Sequence, residues 1–186
     1  MAGEGMNRFI ENYLPSIASC AAPNTAACGM MRSMGAAELA EAARAMPGLD
    51  FLRAIRDGEL PAAPIQDLMG FQLVEVEEGE VAFRATPGEQ HYNPIGVVHG
   101  GLAATLLDSA MGACVHSTLA LGSAYTTLET KFNLVRPIVA DGGTILASGK
   151  VLHRGSRVAT AEGRVVREAD GKLLAHGTST CMILAG

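Results

Sequence analysis

Between Gly101 and Ala120 the chain carries a single charged side chain, Asp108, in a run that is otherwise apolar or small. Protein must cover such a run, because a bilayer span needs about 18 or more uncharged apolar residues and a carboxylate interrupts this one in its first half. Wound as a helix from near Gly100 at about 100° per residue, it puts Ala103, Leu106, Leu107, Ala110, Ala113 and Cys114 on one side. That stripe is expected to meet a sheet. Gly101, Ala104, Thr105, Asp108, Gly112 and Val115 fall opposite, where small side chains let another backbone or helix approach closely. A solvated helix face would hold several Lys, Glu or Gln residues. Asp108 has none of these around it, which marks it as a candidate functional acid.

The flanking segments read as strands. "FQLVEVEEGEVAFRATP" gives two runs separated by Glu78 and Gly79, the pattern of a hairpin. Downstream, "YTTLETKFNLVRP", "GTILASGKVLHRG", "SRVATAEGRVVRE" and "GKLLAHGTSTCMIL" are broken by turn signals at Asp141-Gly142, Gly155-Ser156 and Asp170-Gly171. About six antiparallel strands and one buried helix make an α+β arrangement in which the sheet wraps the helix. Upstream, "GAAELAEAARAM" is rich in helix formers and stops before Pro47. A second short helix is expected over Leu49 to Arg56, with Pro61 and Pro64 punctuating a linker. The organisation that follows is an appendage at residues 1–33 without sustained periodicity, to which no order is assigned, a helical segment at 34–63 and the main domain at 64–186.

The net charge of -5 is unevenly spread. Up to position 130 there are 6 basic and 15 acidic residues, a balance of -9; from Lys131 onward there are 8 basic and 4 acidic, a balance of +4. No broadly basic surface is available for nucleic acid, while the basic C-terminal part leaves room for one compact anionic ligand. The first residues include Glu4 and Glu11 and lack an apolar leader, so the expectation is a cytoplasmic chain with no membrane partner. Cys20, Cys28, Cys114 and Cys181 form no C-x-x-C pair and have no His at zinc spacing, which predicts free thiols and no metal site.

Gly100 and Gly101 bear on the chemistry. A helix N-terminus presents unpaired N–H groups and a positive partial charge, and residues without side chains let a ligand carbonyl come close. Those donors could form an oxyanion hole; the same glycines would equally serve a tight strand-to-helix turn. Gly101 and Asp108 are seven residues apart, about 10 Å along one helix, too far to serve one carbonyl. Two copies packed antiparallel about a twofold axis would bring the Asp of one chain toward the helix start of the other, which predicts a dimer with two composite sites.

"NPIGVVHGG" followed by "LLDSAMG" and "YTTLETKFNLVRP" resembles the PaaI-type acyl-CoA thioesterases of the hotdog-fold superfamily, over approximately Pro64 to Leu184. The resemblance implies a hotdog fold, a homodimer or a dimer of dimers, and acyl-CoA as substrate with no further cofactor. Carried over by position, the helix acid falls on Asp108, the motif asparagine on Asn93 and the oxyanion-hole backbone on Gly101 with Gly100 adjacent. A water-holding hydroxyl falls on Thr127, with Thr126 as the alternative. On this reading a backbone N–H polarises a thioester carbonyl, Asp108 of the partner subunit activates water or attacks directly, and Asn93 positions water or carbonyl. His99 is expected to fix the turn through a backbone hydrogen bond. His91, His116, His153 and His176 have no partner visible in the sequence and are assigned to structure. Coenzyme A phosphates would suit Arg136, Arg154 and Arg157 in the basic C-terminal part. The competing readings are a non-catalytic acyl-CoA sensor, which would not need Asp108, a hotdog hydratase or dehydratase, and a structural dimerisation module.

Overall fold

The computed structural model describes residues 34–184; the appendage expected at 1–33, with Cys20 and Cys28, lies outside them. Two short helices come first, α1 (Ala36–Ala45) and α2 (Gly48–Arg56), where helix formers and Pro47 place them. A third, α3 (Pro64–Met69), stands where a linker was expected. Pro64 occupies its first position, where the missing N–H costs nothing, and the Gln66 side chain accepts the Ala63 N–H at 3.1 Å. The signal was available: a proline at the first turn and Gly70 just past the last.

The strands are β1 (Phe71–Glu77), β2 (Glu80–Ala85), β3 (Ala124–Leu134), β4 (Ile145–Arg154), β5 (Val158–Arg167) and β6 (Leu173–Leu184). They form one antiparallel sheet in the order β1-β2-β4-β5-β6-β3. The helix α4 (Gly100–His116) lies across its inner face and touches every strand. This is the expected hotdog architecture.

Two features set how tightly helix and sheet meet. Gly149, Gly163 and Gly177 pair in one row across β4, β5 and β6. At Gly149 the α4 backbone comes so close that a Cβ would lie 2.2 Å from the Ala110 carbonyl oxygen. The second feature corrects an expectation. Ala104 and Thr105 are partly open and Asp108 is exposed, but Gly112 and Val115, placed on the same free face, are buried. Tyr125 of β3 covers Gly112 so closely that a Cβ there would meet its hydroxyl at 2.5 Å. From Ala110 to His116 every residue of α4 is buried, so only the N-terminal half of the helix presents a face to anything outside the chain.

One carboxylate on β1 is held away from its ordinary state. Burial raises the Glu75 carboxyl to about 7, against an opposing pull from Arg84 and with a further push from Glu168; Arg84 and Glu168 themselves pair at 2.7 Å. The folded chain therefore binds more protons than the unfolded chain between the ordinary glutamate range and pH 7. Stability contributed here is fully present at lower pH and lost as pH rises through 7. Glu75→Gln is expected to raise thermal stability at pH 8 and to leave it unchanged near pH 4. The gain is on the order of 1 kcal/mol, since Glu75 is only half-buried and solvent screens it in part. Equal melting temperatures for wild type and variant at pH 8 would refute the assignment.

Candidate active site

The start of α4 is built by a closed loop. His99 N–H donates to the His91 carbonyl at 2.7 Å, and Tyr92 and Val98 form an isolated antiparallel bridge. Inside the loop, Asn93 N–H donates to the Val97 carbonyl at 2.8 Å. The Asn93 side-chain oxygen accepts the N–H groups of Ile95 and Val97 at 3.1 and 3.3 Å. Two backbone donors fix which side-chain atom is the oxygen, and the Asn93 amide nitrogen is left with no acceptor among the described residues.

His99 caps the helix: its Nδ1 accepts the Gly101 N–H at 2.8 Å, and its carbonyl accepts Leu102 N–H at 3.0 Å. The Gly101 N–H expected to face a ligand is thus occupied within the chain. The open donor belongs to Gly100, whose N–H meets no acceptor among the described residues. Gly100 and Asn93 line one recess of about 310 Å³ together with Val97, Leu134, Arg136 and Ile138. A Cβ on Gly100 would meet the Leu134 side chain at 2.6 Å, so the absent side chain lets Leu134 pack against the start of α4. A second recess of about 310 Å³ opens on the other side of the helix start, beside Met69, Tyr92, His99 and Thr105.

Asp108 sits two turns further along α4 and is bound by β3. Its Oδ1 accepts the hydroxyls of Thr127 at 3.3 Å and Thr130 at 3.2 Å; Oδ2 has no partner among the described residues. Residues 127 and 130 would face opposite sides of a regular strand. The register shift between Thr127 and Glu129 brings both to one face, opposite Cys181 and Ser179. Thr126 pairs with Met182 and is exposed, outside this group. No Lys, Arg or His among the described residues pairs with Asp108, and its charge is felt nearby. The Tyr125 hydroxyl is pushed above its ordinary value by burial, then by Cys181 and Asp108. The Cys181 thiol is raised by burial and by Asp108, against hydrogen bonds from Ser179 and Thr127.

Within one chain, then, Asn93, Gly100 and Arg136 come together, and Asp108 joins Thr127 and Thr130. The two groups are apart: eight residues of helix separate Gly100 from Asp108, about 12 Å. Arg136 is held by donating to the Leu173 carbonyl at 2.7 Å. Arg154 ends β4 and Arg157 lies in the next turn, at the other end of the sheet from Arg136. Among the described residues no three His, Cys, Asp or Glu side chains cluster as metal ligands. Cys114 and Cys181 are free and buried, and no helix is long and apolar enough to cross a membrane. Of the histidines assigned to structure, His116 is buried with its Nε2 unpartnered, and burial lowers its proton affinity.

Comparison with known proteins bears on this geometry. The family model described as Thioesterase superfamily matches residues 95–174. Human acyl-coenzyme A thioesterase 13 is 32% identical over 113 residues, covering 58% of this chain and 76% of that protein. A solved conserved protein of Pseudomonas aeruginosa is 32% identical with a TM-score of 0.61, over 66% of this chain and 95% of that one. A phenylacetic acid degradation-related protein of Ralstonia eutropha is 28% identical with a TM-score of 0.64, over 70% and 98%.

Proposed function

The chain belongs to the thioesterase superfamily, and from that premise we propose that it hydrolyses acyl-CoA thioesters at two sites, each shared between the subunits of a twofold dimer. The observation that carries this reading is which polar atoms the chain leaves unused. Gly100, with its N–H unpaired, and Asn93, with its amide nitrogen unpaired, line one recess, and Asp108 keeps Oδ2 free of partners among the described residues while its Oδ1 is tied down. Two donors suit the oxyanion that forms when a thioester carbonyl is attacked. The free carboxylate oxygen suits a general base that takes a proton from the attacking water, after which the thiolate of coenzyme A leaves.

The edge of the sheet at β3, bare among the described residues, supplies a way to join the two halves. β3 is an edge strand of 11 residues, and Leu128, Phe132 and Leu134 are exposed on it at 56%, 38% and 53%. An unpaired apolar edge of this length is a template for another strand. Gly100 packs over Leu134, and Asp108 is held at Thr127 and Thr130. Antiparallel pairing of β3 with its copy about a twofold axis at Phe132 would set Thr130 of the partner subunit opposite Leu134. Asp108 of the partner subunit then approaches Gly100 and Asn93. The same operation brings Arg154 and Arg157 of the partner subunit toward the end of the sheet that carries Arg136, where the three are candidates for the phosphates of coenzyme A.

The test is thiol release from short aliphatic, long aliphatic and aryl acyl-CoAs, with mass measured by light scattering. Wild type is expected to be at least a dimer and to turn over one class. Phe132→Asp, which places a charge at the proposed axis, is expected to give monomers with activity lower by about 100-fold or more, the loss set by removal of the base from each site. Tight binding of every acyl-CoA without turnover would replace this reading with a sensor, and a fully active monomer would end the composite-site proposal.

A further inference from the structure

His91 is nine-tenths buried and more completely bonded than any other histidine among the described residues. Its ring joins two elements that the sequence keeps apart. Nδ1 accepts the Gly88 N–H at 3.0 Å, and Nε2 lies 3.0 Å from the Met69 carbonyl at the end of α3. Gly88 N–H is a donor with no alternative role, so Nδ1 must present its lone pair and the ring proton sits on Nε2, donating to Met69. Its backbone is equally committed. His91 N–H donates to the Gly88 carbonyl at 2.9 Å, closing a short 3-10 turn (Glu89–His91), and the His91 carbonyl accepts His99 N–H at 2.7 Å. One residue thus ties the end of α3, the turn at 88–91 and the cap of α4.

We propose that His91 is a positioning residue, which acts through His99 to aim the Gly100 N–H into the recess it shares with Asn93. The proposal rests on the thioesterase reading for its effect on rate, and on bonding alone for its effect on the loop. The chain of contacts is short. If the His91 carbonyl shifts, His99 loses the anchor of its N–H; if His99 turns, Gly101 loses its acceptor and the first turn of α4 frays. A displacement near 1 Å at an oxyanion donor costs about 10²-fold in rate. The ring does not need to touch substrate for this.

Three substitutions separate the ring's two bonds. His91→Leu removes both at similar volume, His91→Asn keeps an acceptor where Nδ1 stands, and His91→Gln keeps a donor where Nε2 stands. Amide hydrogen exchange at His99 and Gly101, referenced to Ala110 in the middle of α4, reads the loop independently of activity; kcat and KM read the site. His91→Leu is expected to speed exchange at His99 and Gly101 by about tenfold or more with Ala110 unchanged. It should also lower kcat by about 10- to 100-fold with KM held within about threefold. His91→Asn should recover most of both effects, since the Gly88 bond holds the turn, and His91→Gln less. A folded His91→Leu protein with wild-type exchange at His99 and Gly101 overturns the proposal. Should His91→Leu not fold, equal exchange in the Asn and Gln variants overturns it instead. A wild type that hydrolyses no acyl-CoA would remove the thioesterase reading while the exchange result still judges His91.

Discussion

Asp108→Asn is expected to lower kcat by about 10³-fold, the middle of the range for loss of a general base, while leaving the melting temperature within about a degree. The side chain keeps its shape, and its oxygen can still accept the hydroxyls of Thr127 and Thr130, so the helix and strand stay in contact. What disappears is the free oxygen able to hold a proton. A mixing experiment makes the result specific to a shared site. Asp108→Asn chains lack the base but retain Gly100 and Asn93; Asn93→Ala chains lack one donor but retain Asp108. A mixed dimer carries one intact site, formed by the donors of the first chain and the acid of the second. Random exchange of subunits gives mixed dimers as half of the population, each with half of its sites working, so activity should recover to roughly a quarter of wild type. Recovery no greater than the sum of the two separate variants would mean that each site is confined to one chain.

Gly149→Ala should be the most damaging single methyl group among the glycines of the sheet. The added Cβ would lie 2.2 Å from the Ala110 oxygen, 2.4 Å from its carbon and 2.8 Å from the Met111 nitrogen. All three are backbone atoms inside a helix, so relief requires moving α4 away from the strands that contact it. Overpacking a core costs about 1–3 kcal/mol when side chains can adjust; with backbone on the far side a cost of about 4 kcal/mol is expected. For a domain of this size that is a fall of roughly 10 °C in melting temperature. Gly163→Ala is the internal control. Its Cβ would meet Met111 and Leu107 side chains at 2.9 and 3.0 Å, and these can rotate. Its cost should be less than half as large. Equal losses at the two positions would show that the close approach at Gly149 does not set the helix height.

The parts of this molecule that were legible in the sequence are those governed by local chemistry. Strand runs broken at Glu78-Gly79, Gly155-Ser156 and Asp170-Gly171 declare themselves because turns need particular residues, and the resulting strands end there. The long helix and its lone acid were readable from periodicity. Which glycine carries the free N–H was not. That depends on His99 turning its ring back to Gly101, a choice made by the loop closed at His91 rather than by the letters HGG. Thr130 was invisible for a related reason. Alternation places it opposite Thr127, and only the irregularity at Leu128, set by pairing with β6, brings both to the carboxylate. A helical wheel puts Gly112 on the free face because it ignores Tyr125, which arrives from β3 to cover it; Val115, on the same face of the wheel, is buried as well. The histidines divide in the same way: the partners of His91 lie at positions 69, 88 and 99, and folding alone makes them neighbours.

The two margins of the sheet are treated differently. β1 carries an irregularity between Leu73 and Glu75, bears Glu75 and Glu77, and is packed by α2, with Arg53 bonded to Glu77 at 3.0 Å. β3 is long, regular beyond its single bulge and, among the described residues, uncovered along its outer edge. If the proposed pairing of β3 forms, growth in the hydrogen-bonding direction should stop after that single addition, because the joined pair would end in two guarded strands. On that reading, raising the concentration of the protein should yield closed particles of fixed mass instead of fibres.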